Sequence, residues 1–334
     1  MRIGLAGTGR IGAFHAATLA ALDEVEQVVV TDVVPQSAAR LAEEKGYSLA
    51  ADLDELLSRV DGIVVTTSTS GHAPTLRAAV AAGVPTFCEK PVAATLDETV
   101  ELVKLVEASD VSVHVGFQRR FDVGYRRARD AVQTGELGFV HTVRANTHDQ
   151  SPPPADYLPT SGGLFRDCSV HDFDIIRFVT GREVASAFAV GANKGDPFFT
   201  EKGDIDTGAG VLTLDDGTLV VVSATRYNGG GHDVRMEVLG SAGTIGVGYD
   251  DSLAVRSAEP GVDYPRGPQK WSFMERFQPA YVAELTAFCD VVAGRIASPC
   301  TVSDALQAFR VAEACERSRE TGRATALEEI GGAA

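Results

Sequence analysis

The sequence is poor in cysteine and contains no closely spaced cysteine pair. Its 334 residues include only five cysteines, an odd number, and no C-x-x-C motif. Disulfide frameworks and zinc sites both need cysteines in paired or closely spaced arrangements. We therefore expect reduced, mostly buried thiols and no metal site. The five are widely separated, at Cys88, Cys168, Cys289, Cys300 and Cys315.

The sequence also lacks a long apolar segment. No run approaches the roughly 18 uninterrupted apolar residues of a membrane span. The apolar amino terminus is broken by Arg10 and His15 before a signal-peptide pattern is complete. These absences predict a cytoplasmic protein without a membrane partner.

Positive charge is scarce as well. The chain has 30 lysines and arginines against 46 acidic residues, which gives a net charge of −16 and a pI near 4.8. Binding to a nucleic-acid backbone requires clustered lysine and arginine that release counterions. The composition therefore argues against a nucleic-acid partner, and the length suits about two domains.

A glycine-rich motif stands close to the amino terminus. Residues 2–6 form a predicted buried strand, and an alanine-rich helical stretch follows the motif up to Leu22. The motif alone is weak evidence, but this context strengthens it. The first glycine allows a tight turn, the second lets the backbone approach a pyrophosphate, and the third lets the helix pack on the strand. The predicted dinucleotide site comprises Gly7, Thr8, Gly9, Arg10, Ile11 and Gly12.

Asp32 ends the next predicted strand and lies 20 residues after Gly12. A carboxylate at this place accepts hydrogen bonds from the adenosine ribose hydroxyls and repels the additional phosphate of NADP. No basic residue follows it among residues 33–35. We therefore expect NAD as the cofactor, in preference to NADP.

Short apolar strands and amphipathic helices alternate through residues 1–120. This pattern predicts an α/β Rossmann domain with a doubly wound parallel sheet. Ligands of such sheets bind beyond the carboxyl ends of the strands. The other cofactor-site candidates at those ends are Thr67, Ser68, His72, Glu89, Lys90 and Gln118.

Lys90 is the most informative of these candidates, because it follows a strand directly and precedes Pro91. An exposed surface lysine is the commoner fate of this residue type. The strand-end position nevertheless favours a role near the nicotinamide. His72 could cap the following helix as easily as it could contact the cofactor.

Residues 121–334 are richer in strands. Six alternating runs with few helices between them predict an α+β domain with a large, mainly antiparallel open sheet. Asp215-Asp216-Gly217 is a strong hairpin signal between two of the runs. The proline-rich stretch 151–163 is expected to lack regular structure. We expect the uncovered sheet face to form a homo-oligomer interface.

A helix is predicted over Gly162 to Thr180. Within it Asp167, His171 and Asp174 are spaced by four and three residues, which would place them on one face. They could form a catalytic imidazole between two carboxylates, or merely a solvated face or a satisfied polar cluster. This helix, with helices near 281–293 and 303–321, would cover the sheet or pack on the first domain.

Taken together and in this order, these segments resemble the Gfo/Idh/MocA oxidoreductases over nearly the whole chain, and among them the inositol 2-dehydrogenases. The matching pieces are GTGRIG, Asp32, Glu89-Lys90-Pro91, GFQRRFDVGY at 116–125, Gly162-Gly163 with Asp167-x-x-x-His171, and HDVRMEVLGSAGTIGVG at 232–248.

The resemblance implies both a site and an assembly. His232 stands where some inositol enzymes have a tyrosine near the substrate. Relatives of this kind are commonly tetramers built through the β-sheet, so a homo-oligomer, tetramer or dimer, is expected. The implied catalytic residues are Lys90, Asp167 and His171, and these together with Arg120, Asp174 and His232 would bind a small polyol or sugar.

The implied reaction is the NAD-dependent oxidation of a secondary hydroxyl of a cyclic polyol, foremost of myo-inositol to 2-keto-myo-inositol (scyllo-inosose). His171 would be the general base, because imidazole titrates near neutral pH. Lys90 would stabilise the alkoxide, and Asp167 would orient the imidazole or the substrate. The alternatives are another inositol isomer, a sugar or aminosugar as substrate, a glycosidase using NAD transiently, and a non-catalytic NAD or sugar sensor.

Overall fold

The computed structural model describes residues 1–331, which form two compact units. The first unit contains Met1–Gln118 and Pro279–Leu306, and the second contains Arg119–Gln278 and Gln307–Gly331. The division expected from the sequence, 1–120 and 121–334, keeps the carboxyl-terminal part in one piece. In the structure, Pro279–Leu306 belongs to the first unit instead.

Strands and helices alternate in the amino-terminal part of the first unit. In chain order they are β1 (Arg2–Ala6), α1 (Arg10–Ala20), β2 (Gln27–Thr31), α2 (Pro35–Lys45), β3 (Ser48–Leu49), α3 (Leu53–Arg59), β4 (Gly62–Val65), α4 (Thr69–Ala81), β5 (Thr86–Glu89), α5 (Leu96–Glu107) and β6 (Val113–Gly116). Two helices begin at side-chain caps: Asp52 accepts a hydrogen bond from Glu55 N, and Thr95 accepts one from Glu98 N. Such caps satisfy backbone donors that have no partner within the helix.

The six strands of this unit form one parallel sheet in the order β3-β2-β1-β4-β5-β6. This is the strand order of a doubly wound dinucleotide-binding sheet, and it confirms the predicted Rossmann fold. The sheet order reverses between β1 and β4. Ligands bind at this switch point, beyond the carboxyl ends of the strands.

The second unit begins with helix and continues mainly with strands. Its elements are α6 (Val123–Gln133), β7 (Val140–His148), α7 (Leu158–Ser161), a π-helix (Phe165–Ser169), α8 (Val170–Thr180), β8 (Val184–Ala192), α9 (Phe198–Glu201), β9 (Thr207–Leu214), β10 (Leu219–Thr225), β11 (Asp233–Gly240), β12 (Thr244–Val247) and α10 (Phe273–Arg276). A 3-10 turn, Gln118–Phe121, precedes α6.

Two further helices and a short strand follow, α11 (Gln278–Val292), α12 (Val302–Thr321) and β13 (Thr325–Ala326), and then a 3-10 turn over Leu327–Glu329. Leu285 and Phe288 of α11 are fully buried in the core cluster of the first unit. Helix α11 packs closely against β4 at Gly62, where an added Cβ would lie 2.5 Å from Val292 Cγ2. Helix α11 therefore completes the first unit instead of covering the second sheet.

The sheet of the second unit has the order β12-β11-β7-β10-β9-β8-β13. Among the described strands, β7 and β10 pair in parallel and the other neighbours pair antiparallel. This confirms the mainly antiparallel sheet. The predicted hairpin joins β9 to β10, and Gly217 adopts the left-handed conformation there, with φ of 86°.

The expectation for residues 151–163 is wrong, whereas the expectation of buried thiols is confirmed. The stretch 151–163 was expected to be irregular, but it contains α7, with Pro159 in the first turn, where the missing N–H costs nothing. The thiols are buried as expected. None of the helices in residues 1–331 is both long and apolar enough to cross a membrane.

Candidate active site

The glycine-rich turn after β1 has the geometry that its motif predicts. Gly7 has φ of 101°, and an added Cβ would lie 2.5 Å from Thr67 N. A Cβ at Gly12 would lie 2.0 Å from the carbonyl oxygen of Gly7, whereas a Cβ at Gly9 would meet nothing within 4 Å. The turn thus excludes side chains where β1 and α1 pack, and it leaves open space at Gly9. A pyrophosphate can approach the backbone there, at the amino terminus of α1.

Asp32 is held in place at the end of β2. Its Oδ2 accepts hydrogen bonds from Thr8 N at 2.6 Å and from Thr8 Oγ1 at 2.8 Å. Its Oδ1 accepts one from Val34 N at 2.8 Å. Burial alone would raise the pKa of Asp32, but these hydrogen bonds outweigh it and the pKa lies below its usual value. The carboxylate is therefore a fixed negative charge beside the glycine-rich turn.

Replacing Asp32 by serine is expected to lower the preference for NAD over NADP by about tenfold to a hundredfold, because a carboxylate facing a phosphate costs a few kcal/mol. The measurement is the ratio of kcat/KM for the two cofactors. Asp54→Ser, on the exposed first turn of α3, is the matched control. An unchanged ratio in Asp32→Ser would show that this carboxylate does not select the cofactor.

The loop after β4 and the first turn of α4 contain three predicted cofactor residues. Thr67 Oγ1 donates to the carbonyl of Ser68 at 3.2 Å, and Ser68 is the N-cap residue of α4. His72 lies inside α4, so it is not the cap. Its Nδ1 is 2.6 Å from the carbonyl oxygen of Pro91, and its Nε2 is 3.0 Å from that of Thr67. Burial lowers the pKa of His72, although these hydrogen bonds and nearby Glu89 act in the opposite direction.

The predicted lysine follows β5 directly. Glu89, the last residue of β5, has one carboxylate oxygen 2.7 Å from His15 Nε2, and its other oxygen accepts a hydrogen bond from the Lys90 backbone N–H at 3.2 Å. Lys90 is half-buried. Gln118 is buried at the start of the 3-10 turn. Both follow strands at the ligand-binding edge of the sheet.

Asp167 and His171 lie on either side of a change in helix type. Asp167 belongs to the π-helix, whereas His171 lies in the first turn of α8. The predicted regular helix over 162–180 is therefore interrupted. A π-helical turn contains an additional residue and often occurs at functional sites. Gly162 and Gly163 precede it with φ of 81° and 94°, a conformation that favours glycine.

Arg226, which directly follows β10, is the residue that the sequence did not reveal. Its side chain is buried; Nη2 donates to Asp167 Oδ2 at 2.7 Å, and Nη1 is 3.2 Å from Asp149 Oδ2. Nη1 also lies 2.7 Å from Cys168 Sγ. Tyr157 donates to the other oxygen of Asp167 at 3.1 Å. Asp167 is thus fixed by a guanidinium and a phenol.

The charges around Arg226 stabilise one another. Burial alone would lower the pKa of Arg226, but Cys168, Asp167 and Asp149 raise it above its usual value. Burial likewise would raise the pKa of Asp149, but hydrogen bonds and charge from His232 and Arg226 keep it below its usual value. The cluster therefore keeps a cation beside Asp167.

Asp174 does not share the surroundings of Asp167. It is buried, and it accepts hydrogen bonds from Arg120 Nε at 2.8 Å and Nη2 at 2.6 Å. A parallel buried pair joins Asp172 to Arg119 Nη1 at 2.6 Å. The single polar face expected from the spacing is therefore divided, because the π-helix changes the register and because Arg120 holds Asp174 in the interior.

His232 is buried beside the Arg226 cluster. Its Nδ1 lies 3.4 Å from Asp149 Oδ1. Its Nε2 is buried and has no hydrogen-bond partner within residues 1–331. A buried imidazole nitrogen without a hydrogen-bond partner is suited to bind a polar group of a ligand, because leaving a buried polar atom without a hydrogen bond costs free energy.

Each of the two units contributes its own chemical groups. No group of three or more histidine, cysteine or acidic residues in the described part of the chain could hold a metal ion. The glycine turn and Asp32 fit a dinucleotide. In the first unit Lys90 supplies a cation, and in the second unit Asp167 supplies a carboxylate and His171 an imidazole.

Comparison with known proteins reveals close relatives along the entire chain. Over 326 residues it is 41% identical to myo-inositol dehydrogenase Hyg17 of Streptomyces leeuwenhoekii, covering 96% of this chain and 98% of that protein. A myo-inositol dehydrogenase structure from Corynebacterium glutamicum is 34% identical, with a TM-score of 0.89 and coverage of 98% of each chain. The scyllo-inositol dehydrogenase structure from Lactobacillus casei, with bound NAD(H) and scyllo-inositol, is 27% identical with a TM-score of 0.88, covering 98% and 99% of the two chains.

Two family models match successive parts of the sequence. Residues 1–117 match the oxidoreductase family with an NAD-binding Rossmann fold, and residues 125–246 match the Gfo/Idh/MocA carboxyl-terminal domain. With the glycine turn and Asp32 in place, the expected cofactor, NAD, is confirmed. On these grounds the chain belongs to the Gfo/Idh/MocA family of NAD-dependent oxidoreductases, which the sequence motifs predicted.

Proposed function

We propose that this oxidoreductase, which acts on CH–OH groups, oxidises a ring hydroxyl of myo-inositol to give 2-keto-myo-inositol. One observation carries the proposal: the residues of the predicted site occur in a chain that is 41% identical, over 96% of its length, to a myo-inositol dehydrogenase. Three other relatives, each named as an inositol or myo-inositol dehydrogenase, support the same substrate class.

The proposed roles follow from the chemistry of a secondary alcohol. Oxidation removes a proton from oxygen and a hydride from carbon, and bound NAD accepts the hydride. His171 accepts the proton, because an imidazole can do so near neutral pH. The ammonium of Lys90 stabilises the negative charge that develops on oxygen.

Asp167 is proposed to orient His171 or the substrate and to favour the imidazolium form. Arg226 and Tyr157 hold this carboxylate through hydrogen bonds of 2.7 and 3.1 Å. A carboxylate so held is suited to an electrostatic role, because its protonation would weaken the contact with the guanidinium. It therefore serves His171 better than it would serve as a proton acceptor itself.

Substrate binding by the other predicted residues is also part of the proposal. His232 is suited to a hydroxyl contact through its Nε2. Arg120 and Asp174 remain predicted substrate contacts. Their buried ion pair, with hydrogen bonds of 2.6 and 2.8 Å, would in addition fix the wall on which the substrate rests.

A second isomer is the main alternative substrate. The related Lactobacillus casei enzyme was crystallised with scyllo-inositol, and a scyllo-inositol 2-dehydrogenase of Bacillus subtilis is 34% identical over 298 residues. These relatives favour scyllo-inositol over a sugar or an aminosugar as the second candidate. A sensor without catalysis would not need Lys90, Asp167 and His171 together.

The proposal is tested by measuring NADH formation at 340 nm with purified protein. The panel contains myo-inositol, scyllo-inositol, other inositol isomers, glucose and related sugars, each with NAD and with NADP. We expect the highest kcat/KM for myo-inositol with NAD. Turnover confined to sugars would move the assignment to a sugar dehydrogenase, and no turnover with any member would favour the sensor.

We also propose that the protein is a homo-oligomer built through the uncovered face of the second sheet. Five apolar residues on neighbouring strands β8, β9 and β10 have relative exposures from 42% to 53%. Phe188 pairs with Val211, and Val211 with Val221, so these side chains adjoin one another. A contiguous apolar patch of this kind is typical of an interface. The five are Phe188, Val190, Val211, Leu219 and Val221.

The double variant Val211→Glu, Val221→Glu is expected to dissociate the oligomer, because it places charges at the centre of the patch. Light scattering after size exclusion measures the mass. Val262→Glu, at an exposed residue outside this sheet, is the control. A wild-type mass equal to one 35.2 kDa chain would contradict the proposed assembly.

A further inference from the structure

Two buried histidines hold the residues on either side of Lys90. His15 lies on α1 and contacts Glu89, and His72 lies on α4 and contacts Pro91. Both rings are almost fully buried, with relative exposures of 0% and 3%. They belong to different helices, so the segment 89–91 is held from two directions.

His15 fixes the residue before Lys90. Its Nε2 is 2.7 Å from Glu89 Oε1, and its Nδ1 is buried with no hydrogen-bond partner in the described chain. The proton of a neutral ring therefore resides on Nε2, where it is donated to the carboxylate. The second carboxylate oxygen accepts a hydrogen bond from the Lys90 N–H. The ring of His15 thereby acts on the Lys90 backbone through one intervening side chain.

The surroundings leave the Glu89 carboxylate and the His15 ring little freedom. On the neighbouring strand, an added Cβ at Gly116 would lie 3.0 Å from Glu89 Oε2, so the absence of a side chain makes room for the carboxylate. The His15 ring packs edge-on against Phe87 and Tyr281, with centroids 5.6 and 5.5 Å away. Its orientation is therefore set by packing as well as by hydrogen bonding.

His72 fixes the residue after Lys90. Its Nδ1 lies 2.6 Å from the Pro91 carbonyl oxygen, and its Nε2 lies 3.0 Å from that of Thr67. Carbonyl oxygens only accept hydrogen bonds, so the nitrogen that carries the proton donates, and a neutral ring can donate only one of the two. The same side chain therefore connects the lysine segment to the loop after β4, which lies at the nucleotide-binding edge.

We propose that His15 and His72 are positioning residues that hold Lys90 in its reactive place. This rests on the proposed function, in which the Lys90 ammonium stabilises the alkoxide. Two core histidines that served stability alone would not need to contact the two residues on either side of the lysine. A displacement of a reacting group by about 1 Å can reduce turnover about a hundredfold, so a small shift of the segment would be costly.

The test uses four histidine variants of the protein and two variants for comparison. His15→Ala and His72→Ala remove the hydrogen bonds. His15→Gln retains a donor near the Nε2 position, and His72→Asn retains one near the Nδ1 position. Thr86→Val is the matched control, because Thr86 is buried on the same strand β5 and its hydroxyl bonds only Val84 O among the described contacts. Measured quantities are kcat with myo-inositol, the dissociation constant of NADH from fluorescence, and Tm.

Each alanine variant is expected to lower kcat about tenfold to a hundredfold while the NADH dissociation constant changes less than about threefold. His15→Gln and His72→Asn should recover most of the lost kcat, although their Tm stays close to that of the alanine variants. Thr86→Val should lower Tm without lowering kcat.

Two results would overturn the inference: near-normal kcat in both alanine variants, or a loss of kcat in Thr86→Val that matches its loss of Tm. Lys90→Met, measured in parallel, distinguishes a failure of the role proposed for Lys90 from a failure of the role proposed for the two histidines. If Lys90→Met keeps normal turnover, the proposed role of the lysine fails. If Lys90→Met is inactive and the alanine variants are not, only the role of the histidines fails.

Discussion

Replacing His171 by alanine is expected to lower kcat by about two to four orders of magnitude, the usual contribution of a positioned general base. The methyl group cannot accept the proton of the substrate hydroxyl. Binding of NADH should persist, because the glycine turn and Asp32 belong to the first unit and His171 to the second. Both quantities can be measured on the same sample, kcat from the absorbance of NADH and binding from its fluorescence.

The pH dependence gives a second readout for this variant. In the wild type, kcat/KM is expected to decline towards acidic pH as the base becomes protonated, and His171→Ala should lack this decline. His141→Ala is the control, since this exposed histidine on β7 contacts Thr142. Near-normal turnover of His171→Ala with intact NADH binding would exclude His171 as the base.

Replacing Arg226 by methionine is expected to destabilise the protein by about 3–5 kcal/mol, as is usual when one partner of a buried ion pair is removed. The guanidinium lies 2.7 Å from Asp167 and 3.2 Å from Asp149, so two partly buried carboxylates would lose their common partner. Turnover should fall as well, because Asp167, which is proposed to orient His171 or the substrate, would lose the guanidinium that holds it. Urea unfolding measures the first effect and steady-state kinetics the second.

Three companion variants make the Arg226 result specific. Arg144→Met removes an exposed ion pair with Glu237 and should cost less than about 1 kcal/mol. Arg226→Lys should restore the charge but not both contacts, because an ammonium lacks the planar fork. Adding Asp149→Asn to Arg226→Met should recover part of the stability. A cost for Arg226→Met no larger than that of Arg144→Met would mean that the cluster is not stabilising.

Much of the nucleotide-binding unit could be predicted because its signals are local in sequence. The glycine turn, Asp32 and Lys90 each follow a strand directly, so a strand-by-strand interpretation locates them at one edge of the sheet. The membership of α11 in this unit could not be predicted from local sequence signals. The sequence left open whether this helix covers the second sheet or packs on the first domain. The choice depends on contacts such as that of Val292 with Gly62, which join distant parts of the chain.

The candidate residues of the second unit illustrate the same limit. Asp167 and His171 could be singled out by their spacing, but their surroundings could not. Arg226 and Asp149 lie at the ends of different strands, and only the pairing of β7 with β10 brings them together. Asp174 was expected beside Asp167, yet it pairs with Arg120 in the interior. Regular helical spacing cannot anticipate a π-helical turn, because the change of register depends on tertiary contacts.

The return of α11 to the first unit also has a consequence for biosynthesis. During translation, all six strands of the Rossmann sheet emerge before the residues that finish its core, since Leu285, Phe288 and Cys289 belong to that core. The nascent sheet must therefore keep an apolar surface uncovered while the whole of β7 to β12 is made. Such exposed surface is prone to aggregation and attracts chaperones. A gene fragment ending at residue 118 would encode a sheet with this surface permanently open, whereas one that fuses residues 279–306 behind it would encode the missing cover.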